Sequence, residues 1–380
     1  MAQHGERVSV IVFVAGGGAA PPEQLVAGGR AAVAQDLVEL ALACPLVERV
    51  VVATNVAGFA RRLQGYERVV VDHDAAGQAF HFGRRLLQVV EAHRIRRPLY
   101  FGGGCAPLLA PESFHALCAR LLAAEHTVIA NNTWSADFYG FTPAEALRRV
   151  ELPAEQDNSL PFLLARFAGL RAEALEPAIE NAFDVDTPTD LAVLKLQRAA
   201  KRHARRYLES AQVATERLEA VMPLLVDERA QITLIGRVNT AIWGKPTSDI
   251  PGPKRLYVEE RGMRAFGRQA RGQVRSLVGH LMEAVGPERL FAQLAGCSDA
   301  VLFDTRVLFH HLRLDLSAAD RFASDLGDLE SIGDPVARAF TAAALACTVP
   351  VVLGGHNIVA GALWALTQEA WERADAGLLA

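Results

Sequence analysis

The chain lacks paired cysteines, a positive net charge and any long hydrophobic run, and each absence excludes a class of protein. Its five cysteines, Cys44, Cys105, Cys118, Cys297 and Cys347, are odd in number and dispersed, with no C-x-x-C pair. That argues against a disulfide framework or a cysteine zinc site, and for a reducing compartment. Lys and Arg total 39 against 43 Asp and Glu, a net charge of −4, so no global basic surface advertises nucleic acid. The apolar run Val8–Val14 gives way at once to glycines, as expected of a buried first strand and not of a signal peptide, and no stretch reaches transmembrane length. No internal repeat or low-complexity tract occurs. The expectation is a cytoplasmic globular protein with a small-molecule partner, no nucleic acid and no membrane; self-association stays open. At 380 residues the chain is too long for one ordinary core, so two domains are expected.

Strand-like runs at Val8–Val14, Glu48–Thr54, Glu67–Asp72, Pro98–Phe101 and His126–Asn131 alternate with helical stretches at Gln35–Ala43, Ala79–His93, Glu112–Ala124 and Leu160–Gly169. With Ala182–Val185 as its last strand, this predicts an α/β domain over 1–195, doubly wound and mostly parallel. Beyond Pro188, apolar residues such as Leu196, Ala204, Leu208, Leu218 and Val221 keep helical spacing as far as Pro223. They predict a long connecting helix over 196–225. A second, smaller α/β domain over 226–380 is expected from strands near Gln231–Ile235, Arg255–Val258, Asp299–Asp304 and Val349–Leu353.

Several clusters carry chemistry. Ala15, Gly16, Gly17 and Gly18 follow the first strand, where glycine lets backbone N–H groups approach a phosphate or base; a tight loop is the plainer reading. Asp184 and Asp186 lie one residue apart before a helix start made by Thr187 and Pro188, with Asp190 three residues after the cap. Such a pair can share Mg²⁺ with a phosphate, or serve only as cap and solvated surface. Asn131, Asn132 and Asp137 at a strand end suit a polar acceptor or an Asn-rich turn. Asp72 and Asp74 form a D-x-D tripeptide that needs no metal at a strand end. Arg264, Arg268, Arg271 and Arg275, spaced four, three and four apart, predict one helical face. That face could hold a phosphorylated ligand or pair with Glu259, Glu260 and Glu283. Gly354, Gly355 and His356 precede a helix and form a candidate anion turn.

The run Phe183-Asp-Val-Asp-Thr-Pro-Thr-Asp-Leu191 resembles the D-x-D-T-P-x-D-L segment that ends the catalytic domain of MobA-like and CofC-like nucleotidyltransferases. Together with Ala15–Gly17 and the loop Gly102–Leu109, it makes residues 8 to about 195 resemble their GT-A-type, Rossmann-like domain. The resemblance implies Mg²⁺-dependent transfer of a nucleotide from an NTP to a small phosphorylated or hydroxylated acceptor. Ala15–Gly18 would contact the nucleotide, Asp184 and Asp186 the metal, and Asn131, Asn132 and Asp137 the acceptor. The family's glycine loop carries an Arg and a Lys and its central strand ends in an Asp. This chain has Ala19-Ala-Pro-Pro-Glu-Gln24 and Gly102-Gly-Gly104 there. Two alternatives therefore stand beside it: a catalytically degenerate module that binds a nucleotide or sugar nucleotide, and a GT-A glycosyltransferase with Asp72 and Asp74 on the metal. Residues 225–380 resemble no family. There the face of Arg264, Arg268, Arg271 and Arg275, with the turn Gly354, Gly355 and His356, would form an anion site, its arginines supplying the positive charge that the loop lacks.

Overall fold

Runs of valine and isoleucine build the first sheet of the computed structural model, which describes residues 6–74, 79–239, 244–264 and 266–379. Two compact units divide the chain. Met1–Gly16, Ala27–Asn181 and Lys201–Ala204 form the first; Gly17–Val26, Ala182–Ala200 and Arg205–Ala380 form the second. The fold is mixed α/β, with one sheet in each unit. Among the described residues no helix is long and apolar enough to cross a membrane.

The first sheet comprises β1 (Val8–Val14), β2 (Val47–Thr54), β3 (Val69–His73), β4 (Pro98–Gly102), β5 (Thr127–Ala130), β6 (Phe138–Thr142) and β7 (Arg171–Ala174). Its order is β3-β2-β1-β4-β6-β5-β7, and every pairing is parallel except those of β6 with β4 and β5. Strand β1 reads as an apolar run broken only by Ser9 because both its faces are covered. Val8, Val10 and Val12 enter one core with Leu37, Phe101 and Phe114, and Ile11 enters the other with Leu86, Tyr100 and Leu164. Two strands escaped the sequence reading. Gly140 disguises β6, yet the glycine is needed: a Cβ there would come within 2.6 Å of Leu121 Cδ2. Strand β7, Arg-Ala-Glu-Ala, is a mostly exposed edge with no strand-forming side chains.

The second sheet comprises β8 (Ile232–Gly236), β9 (Lys254–Val258), β10 (Ala300–Asp304) and β11 (Val351–Gly354), all parallel, in the order β11-β10-β8-β9. Phe291, Phe303 and Phe309 each pack on Phe340 in its core. The chain leaves β8 toward β9 on one side and later adds β10 on the other. The carboxyl ends of β8 and β10 therefore flank a topological switch point, where open α/β sheets bind ligands.

Three expectations about elements are corrected. The long helix is three: Pro188–Leu196, Arg202–Ser210 and Glu216–Val226. Gln197 turns extended at ψ 124° and Gln212 adopts φ 49°, and the Asp36 carboxylate accepts the N–H groups of His203 and Ala204 at 2.9 and 2.8 Å, capping the middle helix. Residues 182–185 are not a strand of either sheet, since Ala182 closes a short helix, Ile179–Ala182. The arginine row is not helical. Gly262, Gly267 and Gly272 recur every five residues at φ 75°, 63° and 61°, a left-handed conformation that no helix tolerates; residue 265, within that row, lies outside the described residues.

Candidate functional site

The segment Ala182–Leu191 belongs to the second unit, and its own chemistry shapes it. Thr187 caps the helix Pro188–Leu196, with Pro188 in the first turn and Asp190 completing the capping box. One oxygen of Asp190 accepts from Asp186 N–H, Thr187 N–H and the Thr187 hydroxyl at 3.0, 2.7 and 2.9 Å. The segment docks on the turn that follows β11. Asn357 Nδ2 donates to the Asp184 carbonyl at 3.1 Å and to Asp184 Oδ1 at 2.5 Å, and the Thr189 hydroxyl donates to the Leu353 carbonyl at 2.7 Å. Close approach requires glycine on the other side: a Cβ on Gly355 would meet Thr187 at 2.7 Å, and one on Gly361 would meet the Ala182 carbonyl at 1.9 Å. The outcome is a centre in which one ligand atom each from Asp184, Asp186 and His356 lie within 4.8 Å of one another.

The surroundings are charged and paired. Asp304, at the end of β10, is fully buried, and Arg237 grips it through Nε at 2.6 Å and a second guanidinium nitrogen at 3.0 Å. Burial alone would raise this carboxyl; Arg237 and Arg306 outweigh it and bring the pKa down to about 2. Arg306 and Asp325 form a buried bidentate pair at 2.9 and 2.5 Å. Burial, then the nearby Arg261 and Arg237, push the His356 imidazole down to about 4 against the pull of Asp186 and Asp304. The ring is therefore neutral at neutral pH and keeps a lone pair for a metal. Two carboxylates and one neutral imidazole are a donor set that fits a divalent cation.

The remaining sequence candidates fall elsewhere. Gly16 N–H donates to Asn55 Oδ1 at 2.9 Å. The helix after the glycines starts at Pro21, well before the predicted Gln35, and its signal, proline followed by an acid in the first turn, was present. Glu23 Oε2 accepts Ala20 N–H at 3.2 Å and lies over Gly18, where a Cβ would be 2.1 Å from it. A carboxylate thus sits where the sequence suggested a phosphate. Asn131 bonds Asp137 Oδ2 and the Asn181 carbonyl at 2.9 and 3.0 Å, and Asn132 accepts the N–H groups of Trp134 and Ser135, so both organise the turn between β5 and β6. Asp72 and Asp74 pair with Arg85, and Asp72 also with His93.

Arg268 pairs with Glu260 at 2.8 Å, Arg271 bonds Gln273 and the Phe266 carbonyl, and Arg275 bonds the carbonyls of Gly272 and Val274. The arginines near His356 are instead Arg237 and Arg261, whose signal was their place just beyond β8 and β9. Asp157 was also missed. A Cβ on Gly102 would lie 3.8 Å from its Oδ2, which accepts from the Tyr100 hydroxyl at 3.0 Å, so a carboxylate reaches the end of β4 from 55 positions away. A further cluster is His280, Glu283 and His311: His311 Nδ1 accepts Ser276 N–H at 3.1 Å, and its buried Nε2 lies 3.2 Å from a Glu283 carboxylate oxygen.

No protein-family model and no curated protein matches the chain. Solved structures similar to it include a cytidylyltransferase from Leptospira borgpetersenii serovar Hardjo-bovis, at 16% identity and TM-score 0.38 over 54% of this chain and 94% of that one. A nucleotidyl transferase from Methanothermobacter thermautotroptrophicus matches at 17% identity and TM-score 0.40, over 54% of this chain and 100% of that one. A structure described as a putative nucleotide-diphospho-sugar transferase from Desulfovibrio desulfuricans G20 matches at 13% identity and TM-score 0.40, over 54% and 95%.

Proposed function

We propose that the chain is a nucleotidyltransferase-type protein that binds a nucleotide and a divalent cation and transfers the nucleotidyl group to a small phosphorylated or hydroxylated acceptor. The convergence of Asp184, Asp186 and His356 within 4.8 Å carries this reading, since phosphoryl transfer is mainly positioning and charge neutralisation. Bound there, Mg²⁺ or another dication would neutralise phosphoryl oxygens. Asp184 and Asp186 would hold it, and Asn357, bonded to Asp184 Oδ1, would orient the other oxygen toward it. Pyrophosphate release across the four NTPs, with a panel of sugar phosphates and phospho-acids, tests the proposal. Asp186→Ala is expected to lower the rate by about a hundredfold or more, the scale of removing one transition-state contact. An unchanged rate removes the assignment.

One observation favours a second reading, a binding module without turnover. Residues 15–24 hold no Lys or Arg, and Glu23 covers Gly18. On this reading nucleotides raise thermal stability, by about 2.7 kcal/mol at a hundredfold excess over Kd, without releasing pyrophosphate, and Glu23→Gln tightens their binding.

A further inference from the structure

We propose that His356 is the third protein ligand of the cation centre and that the centre therefore selects a transition-metal dication over Mg²⁺. The inference rests on the reading that Asp184 and Asp186 hold a cation, and adds which cation they hold. Mg²⁺ prefers a near-ideal octahedron of oxygens and keeps several waters. An imidazole nitrogen suits Fe²⁺, Ni²⁺ or Zn²⁺ far better, and Mn²⁺ is the first and weakest of that series. Here one ligand atom of His356 lies within 4.8 Å of both carboxylates. Donors about 2.0–2.2 Å from a shared ion stand at most about 4.4 Å apart, so small side-chain rotations close the set.

The turn is built to keep it so. His356 adjoins Asn357, which is 1% exposed and spends its amide on Asp184. Gly355 lets Thr187 press against the same turn, and the bond from Thr189 to the Leu353 carbonyl fixes the strand end before it. One turn thus positions the imidazole directly and the first carboxylate through its neighbour. Asn357 is a positioning residue and not itself a ligand.

The test uses the full chain, stripped by chelation and titrated with Mn²⁺, with free Mn²⁺ followed by electron paramagnetic resonance and Mg²⁺ added in competition. Saturable Mn²⁺ binding that Mg²⁺ displaces only in large excess is expected, with nitrogen coupling in the spin-echo spectrum. His356→Ala and His356→Gln should both lose that coupling and weaken Mn²⁺ at least as much as Asn357→Ala, for which about 10–100-fold is expected. Circular dichroism and melting curves confirm that the variants fold. Mn²⁺ binding that needs Asp186 yet shows no nitrogen coupling in the unmodified chain overturns the inference and leaves the proposed function standing. Failure to bind any dication, or binding indifferent to Asp186→Asn, overturns both.

Discussion

Along β4 the first sheet presents rings: Tyr100 stacks on Tyr139 at 5.0 Å, meets Phe13 and Phe82 edge-on, and donates a hydrogen bond from its hydroxyl to Asp157. At the end of β10 the second sheet presents charge, with Asp304 buried against Arg237 and, close by, Arg306 buried against Asp325. The first arrangement is a mostly apolar core, which a mutation weakens chiefly by opening or overfilling space. The second keeps ionic groups where desolvation opposes them, and buried ion pairs are weak evidence of stability. They stand at a switch point, the place where open α/β sheets bind ligands and where the proposed site needs charge.

The sharpest way to break that contrast is to remove one partner of the buried pair. Arg306→Ala should cost about 3–5 kcal/mol by leaving the Asp325 carboxylate buried and uncompensated. A double change, Arg306→Met with Asp325→Leu, should cost far less; urea unfolding monitored by circular dichroism compares them. If the single and double variants lose the same stability, packing and not charge dominates the second unit. Next comes Gly361→Ala, which drives a methyl into the Ala182 carbonyl. It should cost about 3 kcal/mol, the upper end of overpacking, and weaken Mn²⁺ binding by moving Asp184.

Acid should expose the same asymmetry. The folded pKa of Asp304, about 2, lies below its ordinary value of 3.8. Its contribution is therefore present above about pH 4 and lost as pH falls from 4 toward 2, on the order of 2 kcal/mol. Melting temperature against pH should fall less steeply over that window in Asp304→Asn. The smallest effect is Arg268→Ala. Its pair with Glu260 is partly exposed, so stability should change by less than about 1 kcal/mol and Mn²⁺ affinity not at all. A large loss of either would restore a site role to the arginine row.

What could be read in the sequence follows from how local each signal was. Strand β1 and the capping box at Thr187 depend on neighbours a few residues away, and both were legible. The arginine row was misread because spacings of four, three and four look helical unless the left-handed glycines between them are weighed. Asp157 beside Gly102, and His356 beside Asp184 and Asp186, are juxtapositions made by tertiary packing. No periodicity announces them. Asp184 and Asp186 were legible as a pair of acids; the imidazole that completes their set was not.

Asn357 and Asp184 stand 173 positions apart, and this has a consequence for the newborn chain. A ribosome adding about 5–20 residues per second needs roughly 10–35 s to travel between them. Throughout that interval Asp184 and Asp186 are outside the ribosome or on their way, with no turn to dock on. A chain truncated before β11 could still gather the apolar strands of its first sheet, yet it would never bring His356 to Asp184 and Asp186. On the proposed reading, metal capture would thus wait for β11 and the turn after it.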